Sequence, residues 1–144
     1  MAAHIIGGMR RAPFASIALV LTLLPAVAGC GEDTEASSGT ATVDAGQPVV
    51  VEGDEYSFKP GTITVRAATG SPGDVPVRFE LRNAGSLPHD VHVRRGDEEL
   101  GGIEAVGGGK TSGGTVKLAP GDYEIYCSIG DHADLGMTGD LKIE

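Results

Sequence analysis

Val77-Arg78-Phe79-Glu80-Leu81-Arg82 alternates apolar and charged side chains over six residues without a break. In an extended chain successive side chains point to opposite faces, so this pattern belongs to a strand with one wet and one buried face. Other short apolar runs recur between turn residues on either side of it. They are Val49 to Val51, Tyr56 to Phe58, Thr62 to Val65, Val91 to Val93, Thr115 to Leu118, Tyr123 to Cys127 and Leu141 to Ile143. Lys59-Pro60-Gly61, Ser71-Pro72-Gly73-Asp74 and Ala119-Pro120-Gly121-Asp122 supply turns between them. About eight short strands in under about a hundred residues, with no convincing helical stretch, predict an all-β, antiparallel Greek-key β-sandwich.

The chain has 144 residues, enough for one domain with one modest core. Arg10 and Arg11 precede the apolar stretch Ala12 to Ala28, and small residues lead from there to Cys30. That order is expected of a signal peptide over residues 1–29. Pro13 and Pro25 interrupt the apolar stretch, which is short for a retained membrane span. Val27-Ala28-Gly29-Cys30 resembles the bacterial lipobox, which implies a lipid-modified Cys30 as the first mature residue. Ordinary cleavage nearby, leaving Cys30 a plain thiol, is the alternative. From Gly31 to about Gln47 the sequence is small, polar and acidic, so residues 30–47 are expected to form a flexible, lipidated tether. A coil of that length reaches roughly 20 to 25 Å. The expected location is extracytoplasmic, either on the outer face of the cell membrane or in the periplasm, held by lipid at Cys30.

After Cys30 nine basic residues face twenty acidic ones, a formal charge of −11. Nucleic acid is disfavoured as a partner by that balance. Two cysteines in an exported chain normally imply one disulfide. With Cys30 lipidated, Cys127 is left as an unpaired thiol in an oxidising compartment, where burial or a metal must protect it.

Cys127, His132 and Met137 follow one another in the spacing Cys-x4-His-x4-Met, and His89 stands upstream after Leu87-Pro88. A thiolate, two imidazoles and a weak axial thioether are the donor set that suits copper cycling between Cu(II) and Cu(I). A sandwich gathers strand ends at one pole, so residues some forty apart in sequence can converge there.

The stretch from about Val49 to Glu144 resembles the cupredoxins, the plastocyanin-like blue copper proteins. Asn83-Ala84-Gly85-Ser86-Leu87-Pro88-His89 is similar to their first-ligand segment, and Leu118 to Tyr123 ahead of Tyr126-Cys127 to the turn and tyrosine that precede their ligand cysteine. The resemblance implies a cupredoxin-like copper domain over residues 48–144, holding one type 1 copper on His89, Cys127, His132 and Met137. Cys127 would dominate the electronic coupling, His89 and His132 would complete a trigonal plane, and Met137 would tune the potential. Asp90 follows His89 where the family has an amide. Its carboxylate can accept a hydrogen bond from the Cys127 loop but cannot donate one, and it would favour Cu(II); Asp90 and Ser128 are expected next to the ligands without binding the metal. Asp131 and Asp134 sit where an apolar docking patch is implied, to which Leu87, Pro88, Ala133, Leu135 and Gly136 could contribute. The two acids either favour a basic partner or serve loop hydrogen bonding. His92, three residues after His89, should turn to the opposite face and be exposed or structurally bonded.

The expected function is a membrane-tethered electron carrier between a redox donor and a redox acceptor. An extracytoplasmic copper-binding or trafficking protein using the same ligands is the alternative. Zinc suits a thioether poorly and is redox-silent. A purely structural adhesion module would leave the four residues unrelated. No nucleophile–base pair lies outside the set, so an enzyme is not expected. Gly107-Gly108-Gly109-Lys110-Thr111 mimics the end of a phosphate-binding loop, but Glu104 occupies the place of its first glycine. Arg94 to Glu99 reads as a solvated turn.

Overall fold

The computed structural model describes residues 37–68 and 73–144. The signal segment, Cys30 and the start of the tether lie outside the described residues. Ten strands are described: β1 (Thr40–Asp44), β2 (Pro48–Asp54), β3 (Ser57–Lys59), β4 (Thr62–Arg66), β5 (Val75–Asn83), β6 (His89–Arg95), β7 (Glu98–Val106), β8 (Thr111–Leu118), β9 (Gly121–Tyr126) and β10 (Thr138–Ile143). They form a six-stranded sheet in the order β1-β4-β10-β9-β6-β7 and a four-stranded sheet in the order β3-β2-β5-β8.

The alternation that predicts β5 places Val77, Phe79 and Leu81 in the core. Val49 and Val51 of β2 line the same inner face. From the other sheet come Ile63, Val65, Val91, Val93, Ile125, Leu141 and Ile143. Each such side chain removed from water contributes roughly 1.5 to 3 kcal/mol. On the outer face Arg82 pairs with Glu80 at 2.8 Å. The tyrosine after the Pro120-Gly121 turn fixes the corner: the Tyr123 hydroxyl donates to the Ala119 carbonyl at 2.7 Å, and the Arg95 guanidinium lies 4.3 Å over its ring.

Two strands differ from the sequence reading. β1 lies inside the stretch read as tether, and it pairs in parallel with β4 from Thr40↔Thr62 to Asp44↔Arg66. Its threonines and single valine suit a half-buried edge strand, held by backbone pairing more than by apolar contact. Ser37 and Ser38 are tied down as well, the former accepting the Phe58 N–H at 2.8 Å and the latter donating to the Phe58 carbonyl at 3.1 Å. The folded unit therefore begins ahead of residue 48. β7 is the other addition: only Ile103 of its nine residues is fully buried, so no apolar run announces it. The solvated turn read at Arg94 to Glu99 shrinks to the link between β6 and β7.

The sandwich is mixed rather than wholly antiparallel. β1–β4, β4–β10 and β2–β5 pair in parallel, and the remaining pairs are antiparallel. Residues 107–110 simply connect β7 to β8, with no helix after them, so the phosphate-loop resemblance has no structural counterpart.

Candidate metal centre

The antiparallel pairing of β6 with β9, through His92↔Tyr126 and Val93↔Ile125, sets the start of β6 beside the end of β9. His89 opens β6 and Cys127 directly follows β9, so the two meet at one pole of the sandwich. His132 lies on the connection from β9 to β10, and Met137 ends that connection. The Cys127 N–H donates to the Met137 carbonyl at 3.1 Å, and the Met137 N–H donates to the His132 carbonyl at 3.0 Å. The loop is thus closed on itself by its own backbone.

One ligating atom from each of His89, Cys127 and His132 lies within 4.8 Å of the others, and all three residues are buried. The Cys127 Sγ is 3.5 Å from His132 Nδ1, and the two imidazole rings are 5.1 Å apart between centroids. Met137 is fully buried, with its Cε on the side of Gly53 that also faces the His89 Cβ. Both ring nitrogens of His89 are buried with no hydrogen-bond partner. An unsatisfied buried polar group costs about 1 to 3 kcal/mol. Orphaned nitrogens in a cluster with a buried thiol and a second buried imidazole suit a metal-ligating set. The residues fit a copper ion.

Burial pushes the Cys127 thiol up, opposed by backbone hydrogen bonds at Asp90 and Ile129. Burial lowers the His89 imidazole, and His132 adds to that, against the neighbouring anions Glu55, Asp54 and Asp90. The metal-free site is accordingly a neutral thiol beside a neutral His89 imidazole.

Asp90 is buried, and its carboxylate accepts the Ser128 N–H at 2.7 Å and the Ser128 hydroxyl at 2.6 Å. His92 faces the outer surface: its Nδ1 is 3.1 Å from Glu99 and its Nε2 is 3.6 Å from Asp90. Tyr126 donates to the same Glu99 at 2.8 Å. Leu87 and Leu135 are exposed, at 38% and 44%, and flank the His89 and His132 segments.

Four further residues shape the site without having been assigned a role there by the sequence. Asn83 is buried, and its Nδ2 donates to the Leu87 and Val106 carbonyls, each at 2.7 Å. Gly53 leaves room that a Cβ would fill, 3.2 Å from the Met137 Cε and 3.1 Å from Leu81. Tyr56, at a φ of 47°, sets its ring edge-on to His132 at 5.0 Å. Glu55 binds the loop that leads to His89. In sequence, Gly53 to Glu55 reads only as a link between strands, Tyr56 as the start of an apolar run, and Asn83 as the first residue of the segment that leads to His89.

No family model matches the chain, and no curated protein matches it in sequence. Solved structures do. Auracyanin B matches with a TM-score of 0.59 at 19% identity, over 69% of this chain and 90% of its own. Auracyanin from the photosynthetic bacterium Roseiflexus castenholzii, reduced with dithionite, matches with a TM-score of 0.52 at 14% identity, over 74% and 99%. Auracyanin A, a "blue" copper protein of the green thermophilic photosynthetic bacterium Chloroflexus aurantiacus, gives 0.52 at 15% identity, over 74% and 100%. At such identities the likeness establishes the fold, and the fold is the cupredoxin sandwich.

Proposed function

We propose that this chain is a type 1 copper protein that carries single electrons between a redox donor and a redox acceptor, and that it is not an enzyme. One observation carries the reading: a buried thiol and two buried imidazoles converge within 4.8 Å, and one imidazole has both nitrogens unsatisfied. The fold shared with the auracyanins supports it, since one of those neighbours is described as a "blue" copper protein and another as reduced by dithionite. Bound copper would supply the Cu(II)/Cu(I) couple, on His89, Cys127, His132 and Met137.

The residues of the chain do the rest. Cys127, deprotonated, would be the thiolate ligand, His89 and His132 would present neutral nitrogens, and buried Met137 would help to exclude water. The Asp90–Ser128 pair fixes the two ligand-bearing segments against each other. Leu87 and Leu135 provide apolar contact for a redox partner near His132, and Asp131 and Asp134 beside them favour a basic one. We further propose export by the signal segment and attachment to the membrane through lipid on Cys30. The tether then runs only to about residue 36, because Ser37 is already bonded into the domain.

Titration of the protein with Cu(II), followed by absorption and electron paramagnetic resonance beside a Cys127→Ser variant, tests this. An intense thiolate-to-copper band at one copper per chain, absent from the variant, is expected. A colourless site, or the same spectrum in Cys127→Ser, would refute it.

A further inference from the structure

The turn between β2 and β3 meets the metal centre on three sides. Gly53, at the end of β2, packs beside Met137 and His89. Tyr56 lies edge-on to His132. Between them Glu55 reaches across to the loop 84–88, which leads into His89.

That loop has backbone N–H groups at Ser86 and Leu87 that no carbonyl takes. The Glu55 Oε1 accepts both, Leu87 at 2.9 Å, together with the Ser86 hydroxyl at 3.0 Å. Asn83 takes two further groups, its Oδ1 accepting the Gly85 N–H at 3.0 Å and its Nδ2 donating to the Leu87 carbonyl, while the Ala84 N–H donates to the Gly53 carbonyl at 2.8 Å. Two side chains and one backbone bond to β2 thus hold the loop, and beyond Ala84 the side chains alone do so. The approach is close: a Cβ at position 85 would lie 2.5 Å from the Glu55 carboxylate and would have to displace it. Backbone hydrogen bonds from Leu87 and Ser86 hold the Glu55 carboxyl down at about 2, so it is an anion across the neutral range. The strand behind it is anchored, since β2 pairs with β5 through Gly53↔Asn83 and with β3 through Asp54↔Ser57.

We infer that Glu55 is a positioning residue for the metal centre: by gripping Ser86 and Leu87 while Tyr56 backs His132, the β2–β3 turn holds the two imidazoles at one spacing whether or not a metal lies between them. The inference rests on the copper reading above for its consequence, but its structural half can be tested in metal-free protein. A ligand pair already in place needs little rearrangement on electron transfer, and the Glu55 charge favours the more positive oxidation state.

The test compares Glu55→Ala, Glu55→Gln and Leu118→Ala with the parent, in the full chain. Leu118 pairs with Val75, at the end of β5 away from Asn83, so its loss weakens the core far from the site. In metal-free protein, amide exchange at Ser86 and Leu87 should speed up about tenfold or more in Glu55→Ala. It should stay near parental in Glu55→Gln, whose amide oxygen still accepts, and in Leu118→Ala. In copper-loaded protein, Glu55→Ala should alter the electron paramagnetic resonance spectrum and raise the Cu(II) dissociation constant about 10- to 100-fold. Glu55→Gln should keep the spectrum and shift the reduction potential upward. Parental exchange and spectrum in Glu55→Ala, or equal changes in Leu118→Ala, would overturn the inference. If Glu55→Ala does not fold, Glu55→Asp, whose shorter arm weakens the grip on Ser86 and Leu87, takes its place: faster exchange at those two amides sustains the inference and parental exchange overturns it. A parent protein that takes up no copper sinks the functional reading instead, and leaves the amide-exchange result standing.

Discussion

Asp90 and Ser128 are joined twice, through the serine N–H at 2.7 Å and its hydroxyl at 2.6 Å, both accepted by the one carboxylate. Asp90 follows His89, and Ser128 follows Cys127. The pair therefore ties one ligand-bearing segment directly to the other. Hydrogen bonds to a buried charged acceptor are stronger than neutral ones. Asp90→Ala, which orphans the Ser128 N–H, should cost about 2 to 3 kcal/mol in denaturant unfolding. Asp90→Asn should cost less and raise the reduction potential, because it removes a negative charge beside the ligands. An unchanged potential in a redox titration of Asp90→Asn would remove this account of the aspartate.

Metal-free stability should fall at both ends of the pH range. His89 is lowered from its ordinary 6.5, so its contribution is complete above 6.5 and is lost as pH falls from there toward its folded value, where the unfolded chain takes a proton that the folded one refuses. Cys127 is raised from 9.0, so its contribution is complete below 9.0 and is lost as pH rises through that value toward its folded one. Thermal unfolding of metal-free protein from about pH 5 to about pH 10 should show both limbs. Cys127→Ser should abolish the alkaline limb alone, and bound copper should also remove it, since the metal holds the thiolate.

Met137 divides packing from ligation. It is fully buried, so Met137→Ala should destabilise the fold by about 2 to 5 kcal/mol. Met137→Leu conserves volume and should cost less than about 1.5 kcal/mol. If the thioether is an axial contact, Met137→Leu nonetheless shifts the reduction potential. Unfolding and redox titrations on the two variants separate the roles.

A chain cut to begin at Gln47 loses β1 and the Ser37 and Ser38 bonds to Phe58. β4 then becomes an exposed edge with unpaired backbone groups. Such a chain should unfold at lower denaturant concentration than one beginning ahead of Ser37, and should self-associate more readily in sedimentation measurements.

Sequence made the sandwich and the thiol–imidazole cluster legible because both leave local marks. The Val77 to Arg82 alternation needs only a strand's period of two, and Cys127, His132 and Met137 crowd into eleven residues. β1 and β7 escape because their hold is backbone pairing, with few buried apolar residues to mark them. The parallel pairs escape because side-chain period is the same in either direction. Glu55, Tyr56 and Asn83 escape for another reason. An acid between strands, a tyrosine at a strand's start and an asparagine ahead of the His89 segment show no such role until the fold sets Glu55 against Ser86 and Leu87, Tyr56 against His132 and Asn83 against Val106.

The central claim is that the buried thiol–imidazole cluster holds copper for electron transfer rather than for delivery. Repeated reduction and reoxidation of the copper-loaded protein at an electrode, in the presence of a Cu(I) chelator, tests it most directly. The account predicts a reversible one-electron wave that persists over many cycles with the copper retained, and that is missing in Cys127→Ser. Loss of copper to the chelator on the first reduction would contradict it and identify a copper-handling protein instead.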